Sequence, residues 1–248
     1  NNKPLLVTGE ADTVELAVTK AVAEFIERCT LIEYGKIHTE VKTSNGWAAH
    51  TNENSAQENA IRELVERDAV LRHWYTRSPF NFISPESLPS DILSWSSMEL
   101  SRSEFPYLRI LISEMGFGPS ATAVFFNSDG YGVTGHCSKE RMTDAIEGAI
   151  EEACRMAQHY LLKSYLTDVD QMKLCQKSRV DSGAHGVYYA HSEPFPLWMF
   201  GEKINFQTAE EVWSQKNSEL LLQKNQFRVS TVATLPLFVV SAESDSVI

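Results

Sequence analysis

The chain has 248 residues, 43% hydrophobic and 22% charged, the make-up of an ordinary globular protein with enough length to bury a substantial core. Lys+Arg 22 against Asp+Glu 33 leaves a net charge of -11, which argues against nucleic acid as the main partner, because a phosphate backbone would be repelled. No apolar run approaches the roughly eighteen residues of a membrane span, so no membrane partner is expected.

The opening segment, NNKPLLVTGEADT, lacks the basic flank and long apolar core of a signal peptide, and the cysteine usage makes a reducing cytoplasm the expected compartment. It also lacks an initiator Met, so the natural N-terminus is expected to lie upstream. Cys29, Cys137, Cys154 and Cys175 form no C-x-x-C pair and suit neither a zinc knuckle nor a disulfide framework. Cys29 and Cys154, in apolar helical surroundings, read as buried free thiols.

The first predicted helix contains AVTKAVAEFIERC, from Ala17 to Cys29, and the second AQENAIRELVERD, from Ala56 to Asp68. Between Phe80 and Leu100, Ser and Pro are frequent, and the expectation is loop plus a short helix. YLRILISEMG and ATAVFFNSDGYGVTGHC follow as strands, with Asp129-Gly130 as a hairpin turn. A third helix contains AIEGAIEEACRMA, from Ala145 to Ala157, and FRVSTVATLPLFVV near the end reads as one or two strands broken by Pro236. Trp74 and Tyr75 fall at core-like spacing after the second segment.

The three helical segments share one pattern: Ala, three residues, Ala, a β-branched aliphatic, any residue, then Glu. The shared glutamates are Glu24, Glu63 and Glu152, and the first two copies add Glu27/Arg28 and Glu66/Arg67. Ser55 with Glu58 makes a capping-box signature, and Asp12/Thr13 and Thr143/Asp144 are the expected caps of the other two. Alanines four apart let a helix approach a sheet or another helix closely. The carboxylates sit beside that apolar stripe, where burying them uncompensated is costly, so several together imply a cation or strong basic partners. The competing reading is that Glu27 and Glu66 are surface residues and the likeness is chance. Magnesium is commonly held by carboxylates with substrate phosphates, so such helices, with Arg28 or Arg67 for phosphate oxygens, suit a magnesium–nucleotide site. No G-x-x-x-x-G-K-[ST] loop and no kinase signature set occurs, so that site would not be a P-loop.

SNGWAAHTNENSAQENAIRELVERDAV, from Ser44 to Val70, resembles the SNG-x-A-A-G segment and E-x-x-E-R-D helix of the YcaO family. AVAEFIER, Ala21 to Arg28, is similar to that family's earlier E-x-x-E-R motif. GYGVTGHCSKERMTDAIEGAIEEACRMAQ resembles its G-x-G-x-H segment and following helix, and DSGAHGVYYAHSEP, Asp181 to Pro194, its D-H-x-x-Y-Y-A-x-P stretch. The matches come in family order. The resemblance implies an α/β (α+β) fold of mixed sheets packed with helices, a single YcaO-like domain over 1–248, incomplete at its N-terminus or missing internal segments, and glutamate helices surrounding ATP and Mg2+. Residues carried over by motif are Glu24, Glu27, Arg28, Glu63, Glu66, Arg67, Glu152 and Arg155 for the nucleotide, with Glu24, Glu63, Glu66 and Glu152 as metal ligands. The implied activity is phosphorylation of a peptide amide oxygen, leading to an azoline (thiazole or oxazole precursor) or a thioamide in a ribosomally made peptide. A separate leader-binding or E1-like partner protein and a homodimer are implied as well.

The sequence departs from that pattern where Thr51 and Ser55 replace the family's Asn and Glu, His50 its Gly, Lys20 its Ser, and Arg155 its Gln. Asn52, Asn54 or Glu58 could substitute for the lost ligands. Two further readings stay open: a non-catalytic, degenerate YcaO-like subunit that binds peptide or a partner, and a helical α/β protein with no nucleotide site. His50 and His136 are the only histidines within the motifs.

Overall fold

The computed structural model describes residues 7, 9, 11, 13–38, 45–94, 104–164, 194–234 and 237–244. Pro236 and nearly all of the Asp181–Pro194 stretch lie outside them. The three repeat segments form helices α1 (Val14–Ile37), α2 (Glu53–Thr76) and α3 (Met142–Ser164). Thr13 caps α1, its Oγ1 accepting the Leu16 N–H at 3.3 Å. The expected cap at Ser55 is displaced: Asn52 Oδ1 accepts the Ser55 N–H at 3.0 Å, so Ser55 lies within the first turn of α2. An Asn placed three residues earlier does the same capping chemistry, and the helix begins at the first competent cap. Thr143 and Asp144 likewise lie inside the first turn of α3, where Asp144 complements the helix dipole.

The chain divides into two compact units: residues 1–68 with 221–248, and residues 69–220. In the first unit β1 (Trp47–His50), β7 (Arg228–Ala233) and β8 (Phe238–Glu243) form an antiparallel sheet in the order β1-β8-β7. The two strands expected near the C-terminus are β7 and β8. Gly46 opens β1 at φ 79, and a Cβ there would lie 2.5 Å from the Ala242 carbonyl oxygen and 2.7 Å from Leu64 Cγ. The glycine of the S-N-G motif therefore lets the entry to β1 press against both β8 and α2.

The second unit is built on a five-stranded sheet, in the order β5-β4-β3-β2-β6. β3 (Tyr107–Ser113), β4 (Ser120–Phe126) and β5 (Gly132–Cys137) are the expected antiparallel strands, with the turn at Asn127–Tyr131. β2 (Phe80–Ile83) occupies a segment expected to be loop, and β6 (Phe200–Ile204) pairs with it in parallel. Four residues between two prolines give a weak strand signal, yet Phe80 and Ile83 are both buried and fix the strand by packing. Residues 90–94 supply the expected short helix.

α3 packs on one face of this sheet. Ala145, Ile146, Ala149, Ile150 and Ala153 meet Ile110, Ile112, Ala123, Phe125 and Val133 in one core. At Gly135 a Cβ would stand 2.1 Å from the Ala149 carbonyl oxygen, so β5 and α3 touch backbone to backbone. Helix α4 (Phe206–Gln223), which the sequence reading did not anticipate, adds Ala209 and Trp213 to the same core. The opposite face carries Phe80, Leu111, Val124, Phe195 and Met199 with Trp74 packed against them. Tyr75, expected in the core with Trp74, is exposed, because one residue further round a helix turns the side chain by about 100°. His73 is buried and stacked on Phe80, Nδ1 2.9 Å from the Ser78 carbonyl and Nε2 3.0 Å from Ser113 Oγ; burial lowers its pKa and keeps it neutral. Cys154 is buried as expected, whereas Cys29 is only half-buried. Among the described residues no helix is long and apolar enough to cross a membrane.

Candidate functional site

α1 lies along β1, with Tyr34 set edge-on to Trp47 at 5.4 Å. Glu27 faces that strand, and the Ala49 N–H donates to its carboxylate. Burial, and then the charge of Glu24, push the Glu27 carboxyl up to about 7; Arg28 and the Ala49 bond act in the opposite direction. Arg28 pairs with Glu24 at 2.5 Å. The side of α1 turned to the sheet thus carries carboxylates, one of them poorly compensated.

α2 contributes Glu58, Arg62, Glu63, Glu66 and Arg67. Glu66 is buried, not a surface residue, and Arg67 Nε stands 3.8 Å from its Oε1. Arg62, which the sequence reading passed over, is 8% exposed. Its Nη2 and Nε donate to Glu58 Oε1 at 3.0 and 3.2 Å, and its Nη1 is buried with no hydrogen-bond partner. The missed signal was a charged residue inside the buried run Ala60, Ile61, Leu64, Val65. Three- and four-residue spacing puts Ser55, Glu58, Arg62 and Glu66 along one side of α2.

The substitutes considered for the departed ligands have local duties. Asn52 spends its side-chain oxygen on the cap of α2, and its N–H donates to His50 Nδ1 at 2.9 Å. Glu58 is paired to Arg62, and Asn54 is exposed.

In the second unit Glu152 accepts the backbone N–H of His136. The His136 ring lies between Thr122 Oγ1 at 2.9 Å and Thr134 Oγ1 at 3.2 Å. Arg155 is half-buried on α3, three residues beyond Glu152. Glu24, Glu27 and Arg28 on α1 and Glu63, Glu66 and Arg67 on α2 therefore share the first unit, and Glu152 and Arg155 belong to the second. Among the described residues no three or more carboxylates, imidazoles or thiols form a ready-made metal site.

The first unit fits a magnesium–nucleotide group in chemical character. Its donors are carboxylate oxygens, the ligand type magnesium takes; burial and the charge of Glu24 push the Glu27 carboxyl up; and the orphaned Arg62 Nη1 is a buried N–H suited to an anionic oxygen.

A family model described as YcaO cyclodehydratase, ATP- and Mg2+-binding, matches residues 33–222. No curated protein matches the sequence. Among solved structures, a heterocyclase in complex with substrate and cofactor is 18% identical with a TM-score of 0.59, over 83% of this chain and 28% of its own. YcaO from Methanopyrus kandleri bound with AMPPCP and Mg2+ is 14% identical with a TM-score of 0.59, over 95% of this chain and 77% of its own. The E. coli microcin synthetase McbBCD complex with pro-MccB17 bound is 17% identical with a TM-score of 0.54, over 96% of this chain and 63% of its own. The chain spans about a quarter of the length of the first of these, and at such identities the likeness establishes the mixed α/β fold.

Proposed function

The chain belongs to the YcaO cyclodehydratase family, whose cofactors are ATP and Mg2+, and from that premise we propose that it activates a backbone amide of a ribosomally made peptide at the expense of ATP. The observation that carries this reading is Glu27, a half-buried carboxyl facing β1 and raised to about 7 beside Glu24, which a bound cation would relieve. Glu24, Glu63, Glu66 and Glu152 would ligate magnesium. Glu27, Arg28, Arg67 and Arg155 would complete the nucleotide site, and Arg62 Nη1 is an added donor for a phosphate oxygen. ATP supplies the phosphoryl group that turns the amide oxygen into a leaving group. A neighbouring Cys, Ser or Thr side chain attacks the amide carbon, the C–O bond breaks with release of phosphate, and an azoline remains; external sulfide as nucleophile would leave a thioamide. The protein's part is to orient the phosphates, neutralise charge as it moves and exclude water. One YcaO-like domain over 1–248 is supported by a family match that runs through both units. A peptide substrate and a separate partner protein, here taken to capture the leader, are in keeping with the microcin synthetase McbBCD complex, which has pro-MccB17 bound. A cytoplasmic location is part of the same reading.

The test is phosphate release that requires magnesium and peptide together. Glu63→Gln is expected to abolish it, and unchanged release would remove Glu63 from the site. The second reading, a non-catalytic subunit that binds peptide or a partner, is favoured by the local duties of Asn52 and Glu58. Tight magnesium–ATP binding in calorimetry would count against it.

A further inference from the structure

The face of the five-stranded sheet turned away from α3 carries two arginines in an aromatic setting. Side chains alternate along β3, so Ile110 and Ile112 enter the core under α3 while Arg109 and Leu111 lie on the other side. There the Arg109 guanidinium stands 4.4 Å from the ring centroid of Phe200, 5.1 Å from that of Phe82 and 5.6 Å from that of Phe126. Arg77, just past the end of α2 and exposed, lies 5.2 Å from the Trp74 ring and 5.0 Å from the Trp198 ring. All five rings are half-buried and pack on the cluster built around Leu111 and Val124, so one aromatic base holds both cations. Every residue of it belongs to the second unit.

Two observations set these arginines apart. Arg28, Arg62, Arg67 and Arg141 each have a carboxylate within ion-pair distance. Arg77 and Arg109 have none among the described residues, in a chain where Asp+Glu outnumber Lys+Arg by 33 to 22. Arg77 also has φ 58, the left-handed backbone that glycine adopts most readily where a helix ends. Strain retained at an exposed cation points to function rather than to stability. A guanidinium held over a ring keeps N–H groups free for a planar anion, and the rings beside it hold back water, which strengthens the pairing. We propose that this face docks a short acidic segment of another protein, Arg77 and Arg109 each taking a carboxylate and the rings covering apolar side chains between them. Leu197, next to Trp198, and Tyr107, with its ring 5.5 Å from that of Phe126, are exposed and extend the contact. A nucleic acid strand would need a longer track of cations than this pair. The docking face uses none of the glutamates assigned to magnesium and stands apart from the nucleotide reading.

The probe is a fluorescein-labelled peptide of about ten residues in which glutamate alternates with leucine and phenylalanine, titrated with the full chain and read by anisotropy. Saturable binding that weakens as NaCl is raised is expected. The same peptide with glutamine for every glutamate should bind at least about tenfold more weakly, and so should the acidic peptide to Arg109→Gln. Arg77→Gly places at φ 58 the residue that suits it, so its thermal midpoint should hold or rise while peptide affinity falls about tenfold. A lowered midpoint in Arg77→Gly would assign that arginine to the fold and overturn the proposal. So would full affinity in either variant, equal binding of the glutamine peptide, or equal binding of an oligothymidylate of the same charge. Absence of binding at peptide concentrations up to about 1 mM would overturn it as well.

Discussion

Ile150 of α3 is fully buried, and Val22, at the same place in the repeat of α1, is half exposed. Around Ile150 the alanines at 145, 149 and 153 let α3 settle on the sheet, with Gly135 permitting backbone contact. Around Val22 the alanines at 17 and 21 stay partly open, and it is Glu27 that meets a strand. One eight-position pattern therefore builds a core on α3 and presents carboxylates to a strand on α1. A helix pattern specifies that small and apolar residues share a side; which side is covered is decided by what the rest of the chain brings to it.

Truncation tests that difference most strongly. Ile150→Ala is expected to cost about 2–5 kcal/mol in urea unfolding, as for a large aliphatic removed from a packed core. Val22→Ala should stay within about 0.5 kcal/mol. Equal losses would break the comparison. A pH series comes next in size. Glu27 has a higher pKa folded than its ordinary value of 4.5, so the folded state keeps the proton that the unfolded chain releases first. Stability should therefore decline from about pH 4.5 to about 7, by up to about 3 kcal/mol, and stay at the lower level above that. Glu27→Gln should flatten this part of the profile; a slope that persists in the variant would take Glu27 out of the argument. The smallest effect is expected at Glu152. Glu152→Ala leaves the His136 N–H without its acceptor, and a loss of about 1–3 kcal/mol on thermal unfolding is expected. No loss would mean that water serves the N–H equally well.

The three repeat helices and the β3–β4–β5 strands were legible because each signal is local: alanines and aliphatics at helical steps, an Asp-Gly turn between two apolar runs. What was not legible depends on partners distant in sequence. FNFI becomes β2 only because β3 and β6 flank it, and Tyr75 leaves the core that Trp74 enters because one sheet face lies on one side of α2. The start of α2 was misplaced because Asn52 and Ser55 are both competent caps and sequence offers no choice between them. The glutamates of the candidate site were readable from the repeat. Arg62 was not, since an arginine on a helix is ordinarily a surface residue, and only its burial beside Glu58 gives it weight.

The contact between Glu152 and His136 has a second consequence. Among the described residues β5 is an outer strand of its sheet, with β4 as its one strand neighbour, and an outer strand offers unpaired amides to an extended segment. By occupying the His136 amide, the carboxylate from α3 denies an incoming strand one of the hydrogen bonds it would need to add on. A negative charge at that position repels acidic segments as well. The last glutamate of the repeat thus closes one hydrogen-bonding position on that edge.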